Sequence, residues 1–173
     1  NNGILNTTNT TIQANSGYSI NTNTNGDLRI GENTKLKATN YALYNNQTIP
    51  LEITTGEIHC INNARELILD GDVIIKNYDN DTYGIQYAND NAIVTINNGR
   101  IETRSHAIYS YKYHTELTVN DGYIYSSNSY AVYERYNNTD AAYRSYFTFN
   151  GGTFSSWSDT IYLMGNEVKI NIS

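Results

Sequence analysis

One phrase returns along this chain: apolar, Thr, apolar, a polar turn, Gly, any residue, apolar. Few folds accommodate such a repeat. It is clearest in Val94-Thr95-Ile96-Asn97-Asn98-Gly99-Arg100-Ile101, Leu117-Thr118-Val119-Asn120-Asp121-Gly122-Tyr123-Ile124 and Phe147-Thr148-Phe149-Asn150-Gly151-Gly152-Thr153-Phe154. Leu51-Glu52-Ile53-Thr54-Thr55-Gly56-Glu57-Ile58 fits the same frame. So does Leu67-Ile68-Leu69-Asp70-Gly71-Asp72-Val73-Ile74, with Asp72 in the glycine place. Taking the first apolar residue as the mark, copies begin at Leu5, Leu28, Leu51, Leu67, Val94, Leu117, Phe147 and Val168, spaced by 23, 23, 16, 27, 23, 30 and 21 residues.

A period near 23 belongs to stacked repeat architectures, each unit too small to bury its own apolar face. Leucine-rich repeats share the period, but they need a dense Leu framework that is missing here. Alternation in steps of two instead predicts short strands, each facing in and out, joined by polar turns. Strands of successive copies then pair in parallel, and one residue type forms a ladder along the axis. The fold class expected is therefore all-β, a parallel β-solenoid of about eight rungs, forming one domain over residues 1–173.

The expected inward ladders can be named. The first is Leu5, Leu28, Leu51, Leu67, Val94, Leu117, Phe147 and Val168. The second is Thr7, Ile30, Ile53, Leu69, Ile96, Val119, Phe149 and Ile170, and the third is Ile12, Leu36 (shifted by one), Ile58, Ile74, Ile101, Ile124 and Phe154. Each apolar side chain buried this way contributes roughly 1.5–3 kcal/mol. The interval from Leu51 to Leu67 is short for a full three-faced repeat. Either that copy lacks a strand or its phase mark is misplaced.

Later in each copy comes a second motif: Ala42-Leu43-Tyr44, Ala107-Ile108-Tyr109, Ala131-Val132-Tyr133 and Thr160-Ile161-Tyr162, with Gly84-Ile85-Gln86-Tyr87 and Tyr18-Ser19-Ile20 as looser versions. With the middle residue inward, alternation turns the small residue and the Tyr outward. The expectation is an exterior ladder of Tyr44, Tyr87, Tyr109, Tyr133 and Tyr162 beside a stripe of small residues.

Together these two phrases resemble the repeats of right-handed parallel β-helix domains in bacterial surface proteins, the pectate-lyase-like solenoid in its broad sense. The resemblance covers essentially the whole chain. It implies a right-handed coil and a secreted or cell-surface setting. It leaves function open, since such domains include lyases, hydrolases, adhesins and carbohydrate-binding modules.

Composition narrows the field further. The formal net charge is −6 and the pI near 4.9, without the basic patch of a nucleic-acid binder. No apolar run approaches the ~18 residues of a membrane span. Cys60 is the single cysteine, which rules out an internal disulfide framework and suggests a small packed side chain. The polar opening Asn1-Asn2-Gly3 and the last copy at Val168–Ser173 suggest a piece excised from a longer secreted protein.

Two copies exceed 23 residues, around Tyr78–Tyr83 and within Glu134–Arg144, and insertions in solenoids emerge as loops that often carry function. Tyr109, Tyr111, Tyr133, Arg135 and Tyr136 are the candidate carbohydrate-binding residues, with Tyr113 and Tyr143 nearby. Flat amphipathic rings suit sugar rings, but they also stabilise one another along a sheet. Asp79, Asn80, Asp81 and Asp90 read as a solvated acidic turn rather than a Ca²⁺ site, lacking the ligand spacing that ion favours. His59, Arg100, Glu102 and Arg104 are expected to point outward, with His59, Ile75, Glu102 and Tyr125 sharing one column. That column offers no adjacent carboxylate pair of the kind glycoside hydrolysis uses. His106 and His114 lack metal-ligand spacing and are expected to be exposed. No catalytic residue, metal or cofactor is assigned. The expected function is a non-catalytic adhesin or carbohydrate-binding module at a bacterial surface, taking a glycan or a host protein as partner, with no nucleic acid and no membrane insertion. A structural stalk and a polysaccharide lyase or hydrolase fragment are the alternatives, and the oligomeric state is left open.

Overall fold

Aliphatic and β-branched residues alternating with Thr, Asn and charged residues suit a pleated surface buried on one side. A computed structural model of the chain describes residues 3–77, 82–135, 144–164 and 168–172. Among these, every regular element is a β-strand and the strands pair in parallel, an arrangement consistent with a β-solenoid.

The chain lays its strands into three stacks in turn. The first stack holds β1 (Ile4–Thr7) paired with β4 (Asp27–Ile30) and then, beyond a break in the hydrogen-bonded ladder, the leading halves of β7 (Leu51–Ile58) and β9 (Glu66–Asn77), β11 (Ile93–Ile96), β14 (Glu116–Val119), β17 (Ser145–Phe149) and β20 (Val168–Ile172). The second holds β2 (Thr11–Ala14), β5 (Lys35–Ala38), the trailing halves of β7 and β9, then β12 (Arg100–Thr103), β15 (Tyr123–Ser126) and β18 (Thr153–Ser156). The third holds β3 (Ile20–Asn21), β6 (Leu43–Asn45), β8 (Ile61–Asn63), β10 (Ile85–Tyr87), β13 (Ile108–Ser110), β16 (Val132–Glu134) and β19 (Ile161–Leu163).

Register brings like residues together across repeats that are far apart in sequence. Leu51, Leu67, Val94, Leu117 and Phe147 form one buried column, and Ile53, Leu69, Ile96, Val119 and Phe149 form the next. The Asn and Gly of the turn have separate tasks. Asn120 Nδ2 donates to Asn97 Oδ1 and Asn150 Nδ2 to Asn120 Oδ1, each at 2.7 Å, so the turn side chains run as an outer hydrogen-bonded ladder. Gly122 has φ +119°, and a Cβ there would meet the Gly99 carbonyl oxygen at 2.8 Å. Only glycine fits that position.

Inside the corners, buried polar side chains satisfy the turning backbone. Asn45 Nδ2 donates to Asn63 Oδ1 at 2.8 Å, and Asn63 Nδ2 donates to the carbonyls of Arg65 (2.8 Å) and Ile93 (3.0 Å). Ser110 takes the same place between β13 and β14, bonded to the Thr115 hydroxyl, which in turn reaches Ser145. Such partners offset the cost of burying bent backbone away from water.

The structure corrects the sequence reading at several points. In the third inward column, Ile75 and not Ile74 pairs with Ile58 and Ile101, and Ile74 lies at the surface. The cause is a register irregularity between Ile53 and Thr55 against β9, where Gly71 (φ +134°) makes the turn one residue early and Asp72 opposes Thr55. At the far end, Phe147 pairs with Ile170 and Phe149 with Ile172, two residues from the expected match to Val168 and Ile170. Tyr87 is fully buried, its hydroxyl donating to the Glu116 carbonyl at 2.7 Å, because Gln86 stands opposite Tyr109. The small residues Ala42, Ala107 and Ala131 are buried as well, so they form no outer stripe. The short repeat, finally, keeps a strand in every stack and its phase mark stands. It is shortened at the corners alone, with two residues instead of six between Ile58 and Ile61 and five instead of eight between Ile61 and Leu67.

Candidate functional site

The corner leading into the third stack decides what its outer face carries. Ala107 and Ile108 both point inward, breaking strict alternation, and the space at the first of these positions is tight. A Cβ on the equivalent Gly84 would lie 2.5 Å from the Ala107 carbonyl and 2.8 Å from Ile101 Cγ2. With two successive residues turned in, the residues on either side of the pair both face out. Each such repeat therefore contributes two outward groups: Tyr41 and Tyr44, Tyr83 and Gln86, His106 and Tyr109, Tyr130 and Tyr133, and then Asp159 and Tyr162.

The outcome is a continuous aromatic strip two columns wide. Tyr109 stacks on Tyr133 (ring centroids 5.7 Å apart), and Tyr133 lies 5.5 Å from Tyr162. The second column interleaves with the first: Tyr83 is 4.1 Å from Tyr109, Tyr130 is 4.9 Å from Tyr133 and 5.1 Å from Tyr162. His106 lies in the middle, within 5.5 Å of Tyr83, Tyr109, Tyr130 and Tyr133. From β10 to β19 the strip covers three strand spacings, about 14 Å.

Among the expected carbohydrate-binding residues, Tyr109, Tyr111 and Tyr133 come together here, with Tyr111 centred 5.7 Å from Tyr109. Tyr109 is 7% exposed and supports the rings around it, whereas Tyr111 and Tyr162 are well exposed and Tyr133 half-buried. One face of Tyr111 is taken by Lys112, whose Nζ lies 4.4 Å from the ring centroid, a cation–π contact. Arg135 is exposed and follows β16, while Tyr136, Tyr143 and the turn Asp79–Asp81 lie outside the described residues. The other half of the strip, Tyr83, His106 and Tyr130, has a sequence signal that strict alternation hides: an aromatic three positions before the Tyr or Gln, as in Tyr41-Ala42-Leu43-Tyr44 and His106-Ala107-Ile108-Tyr109.

Burial sets the protonation of the strip. His106 was expected to be exposed; desolvation among the rings lowers its pKa to about 4, so its imidazole is neutral near pH 7. Ser129 Oγ lies 2.7 Å from its Nδ1. Burial likewise raises the Tyr133 phenol above its usual range, with the Arg135 guanidinium pulling it partly back. A neutral imidazole thus sits among phenol rings that offer apolar faces and hydroxyl rims.

The outer face of the second stack differs in kind. Its column runs Gln13, Lys37, His59, Lys76, Glu102, Tyr125 and Ser155, so that Lys76 and not Ile75 stands between His59 and Glu102. Arg100 pairs with Glu102 and lies 5.2 Å over the Tyr123 ring. His59 turns its Nε2 to Asn77 Oδ1 at 3.1 Å. Gln13, Lys37, His59 and Lys76 line an open groove of about 560 Å³. Among the described residues, no group of three or more His, Cys, Asp or Glu side chains is placed to hold a metal ion. Cys60 packs in the interior with Sγ 3.7 Å from Thr82 Oγ1, and its φ of +66° makes the tight corner of the short repeat.

No protein-family model, no curated protein and no solved structure matches this chain.

Proposed function

We propose that the chain is a right-handed parallel β-helix of about eight rungs that serves as a non-catalytic glycan-binding module of a secreted or cell-surface bacterial protein. The reading rests on the strip of Tyr83, His106, Tyr109, Tyr130, Tyr133 and Tyr162, whose rings around the covered Tyr109 are partly open to solvent and whose imidazole is neutral. Aromatic faces cover the C–H faces of sugar rings, and the phenol rims meet sugar hydroxyls. A strip of this length accommodates several sugar units in a row, so that modest contacts add along an oligosaccharide. The ionic face beside the strip supports the non-catalytic reading, because its carboxylates Glu57 and Glu102 are already engaged by Lys35 and Arg100.

The near-complete cover of Tyr109 favours a second reading, a stalk in which the rings stabilise neighbouring repeats. Titrating neutral and acidic oligosaccharides into the wild type and a Tyr133→Ala/Tyr162→Ala variant separates the two. A binding module loses roughly tenfold or more in affinity, since each lost stacking contact contributes about 0.5–1.5 kcal/mol. A stalk binds none of the sugars, or binds them equally with and without these rings, and shows a lower melting temperature alone.

A further inference from the structure

The short repeat interrupts the aromatic strip in a specific way. In the repeats of Leu28 and Val94 six residues separate the inward residues of the second and third stacks, and the fifth of them is the outward aromatic: Tyr41 between Leu36 and Leu43, and His106 between Ile101 and Ile108. Between Ile58 and Ile61 just His59 and Cys60 remain. His59 serves the ionic column and Cys60 fills the small buried corner position, so the outward aromatic is missing from this repeat. Its other outward position holds Asn62 where Tyr44 and Tyr109 stand in regular repeats.

The rings on the near side lean over this break. Tyr18 Oη accepts from Asn62 Nδ2 at 2.9 Å, 44 residues along the chain, and Tyr41 Oη donates to Gln86 Oε1, 45 residues along. Tyr18 thus reaches into the shortened repeat and Tyr41 crosses it, each pinned at its far end. A recess of about 460 Å³ remains, lined by Gly17, Tyr18, Asn40, Tyr41, Thr82, Tyr83 and Gln86. Gly17 faces open space, as nothing lies within 4 Å of where its Cβ would stand. The volume falls in the range of small-molecule sites. Among the described residues, the lining contains three tyrosines, two amides, a hydroxyl and a glycine, and no charged side chain, whereas the groove on the adjacent face is lined by Lys37, Lys76, Glu57 and His59.

We infer that this recess is a preformed subsite for one neutral sugar ring, entered at the end of the aromatic strip through Tyr83. The ligand class rests on the glycan reading of the strip; the site itself rests on the corner deletion. Tyr41 and Tyr83 supply ring faces, and the amides of Asn40 and Gln86 supply both donors and acceptors at the edges, the combination that recognises vicinal hydroxyls. Burial keeps the Tyr41 phenol protonated far above neutral pH, so it stays a fixed donor to Gln86 and a firm wall. A charged sugar is disfavoured, because its carboxylate would lose water with no cation in the lining to meet it. Pinned walls also reduce the ordering cost of binding.

The test is a titration followed by NMR, using methyl glucoside, methyl galactoside, methyl mannoside and N-acetylglucosamine, with glucuronate as the charged control. At least one neutral sugar should shift the side-chain amide signals of Asn40 and Gln86, and glucuronate should bind at least tenfold more weakly. Gln86→Tyr, which continues the Tyr109 column into the recess, and Asn40→Trp, which blocks the lip from an exposed position, should each weaken that binding at least tenfold while Arg100→Ala, on the neighbouring ionic face, leaves it unchanged. If neutral sugars leave these amides unmoved, or if both blocking variants fold and bind as the wild type does, the subsite is refuted. Oligosaccharide binding lost in Tyr133→Ala/Tyr162→Ala but indifferent to Gln86→Tyr and Asn40→Trp would refute the subsite and leave the strip standing. Monosaccharide binding lost with Gln86→Tyr but oligosaccharide binding indifferent to the strip variants would do the reverse.

Discussion

The repeat beginning at Val94 and the one beginning at Leu51 share an interior and differ at their edges. Ile53 and Ile96 occupy the same inward column, both fully buried, each register-paired with Leu69. Yet the earlier repeat spans 16 residues and the later one 23. The difference is taken from two corners, where it removes an outward aromatic and leaves a recess in place of a ring. Stacking constrains the inward residues because each must fill the space its neighbours leave, while corners meet water and tolerate deletion. In this molecule the corners decide which side chains the surface presents.

The comparison is most severely strained in the core. Ile53→Ala and Ile96→Ala should each cost about 2–5 kcal/mol in denaturant unfolding, with similar values for the two. A much milder effect for Ile53→Ala would mean that the short repeat is loosely packed. Next come the corner plugs. Asn63→Ala strips hydrogen bonds from the Arg65 and Ile93 carbonyls and from Asn45, and should cost about 1–3 kcal/mol. Ser110→Ala in the regular repeat should cost less, about 1 kcal/mol, and equal losses would show that the tight corner depends no more on its plug than the wide one does.

A third difference appears with pH. His106, present in the regular repeat and without a counterpart in the short one, is held neutral with a pKa near 4. The unfolded chain protonates its histidine at about 6.5, so the native state gains relative stability above that pH and loses it as pH falls from 6.5 towards 4. The facing groups are the rings of Tyr83, Tyr109, Tyr130 and Tyr133 and the Ser129 hydroxyl. After allowance for solvent screening the effect is on the order of 1 kcal/mol, about 2–4 °C in Tm. His106→Gln should flatten that part of the Tm–pH curve, and an unchanged curve would show that the imidazole is not desolvated. The smallest effect belongs to the ionic face. Arg100→Ala removes an exposed pair with Glu102 and should change stability by less than about 1 kcal/mol. A larger loss would mark that face as structurally important.

Most of the interior was legible from sequence because inward positions repeat in kind. Leu28, Leu51, Val94 and Leu117 needed nothing beyond their spacing, and even the shift at Leu36 showed itself. Several of the failures share one cause: alternation carried through places where the chain bends. At Gly71 an early turn moved the inward residue from Ile74 to Ile75. At the third-stack corner two successive residues point in, which buried the small residues, hid Tyr87, and left Tyr83, His106 and Tyr130 unrecognised as half of the strip. Tyr109, Tyr111 and Tyr133 were found because they lie in or after regular strands. The recess was beyond reach, since it depends on residues that are missing from one repeat.

Every column described above follows from parallel, in-register pairing of successive repeats, and cross-linking tests that pairing directly. Thr95 and Thr118 are register partners on adjacent strands, half-buried on the outer side. In a Cys60→Ala background, Thr95→Cys/Thr118→Cys should form a disulfide on mild oxidation with the circular dichroism of the parent retained, because neighbouring strands at about 4.8 Å satisfy disulfide geometry. The one-residue offset Thr95→Cys/Val119→Cys, with its two thiols on opposite faces, should stay reduced. Ready oxidation of the offset pair, or a reduced in-register pair in a folded protein, would contradict the stacking on which the strip and its recess depend.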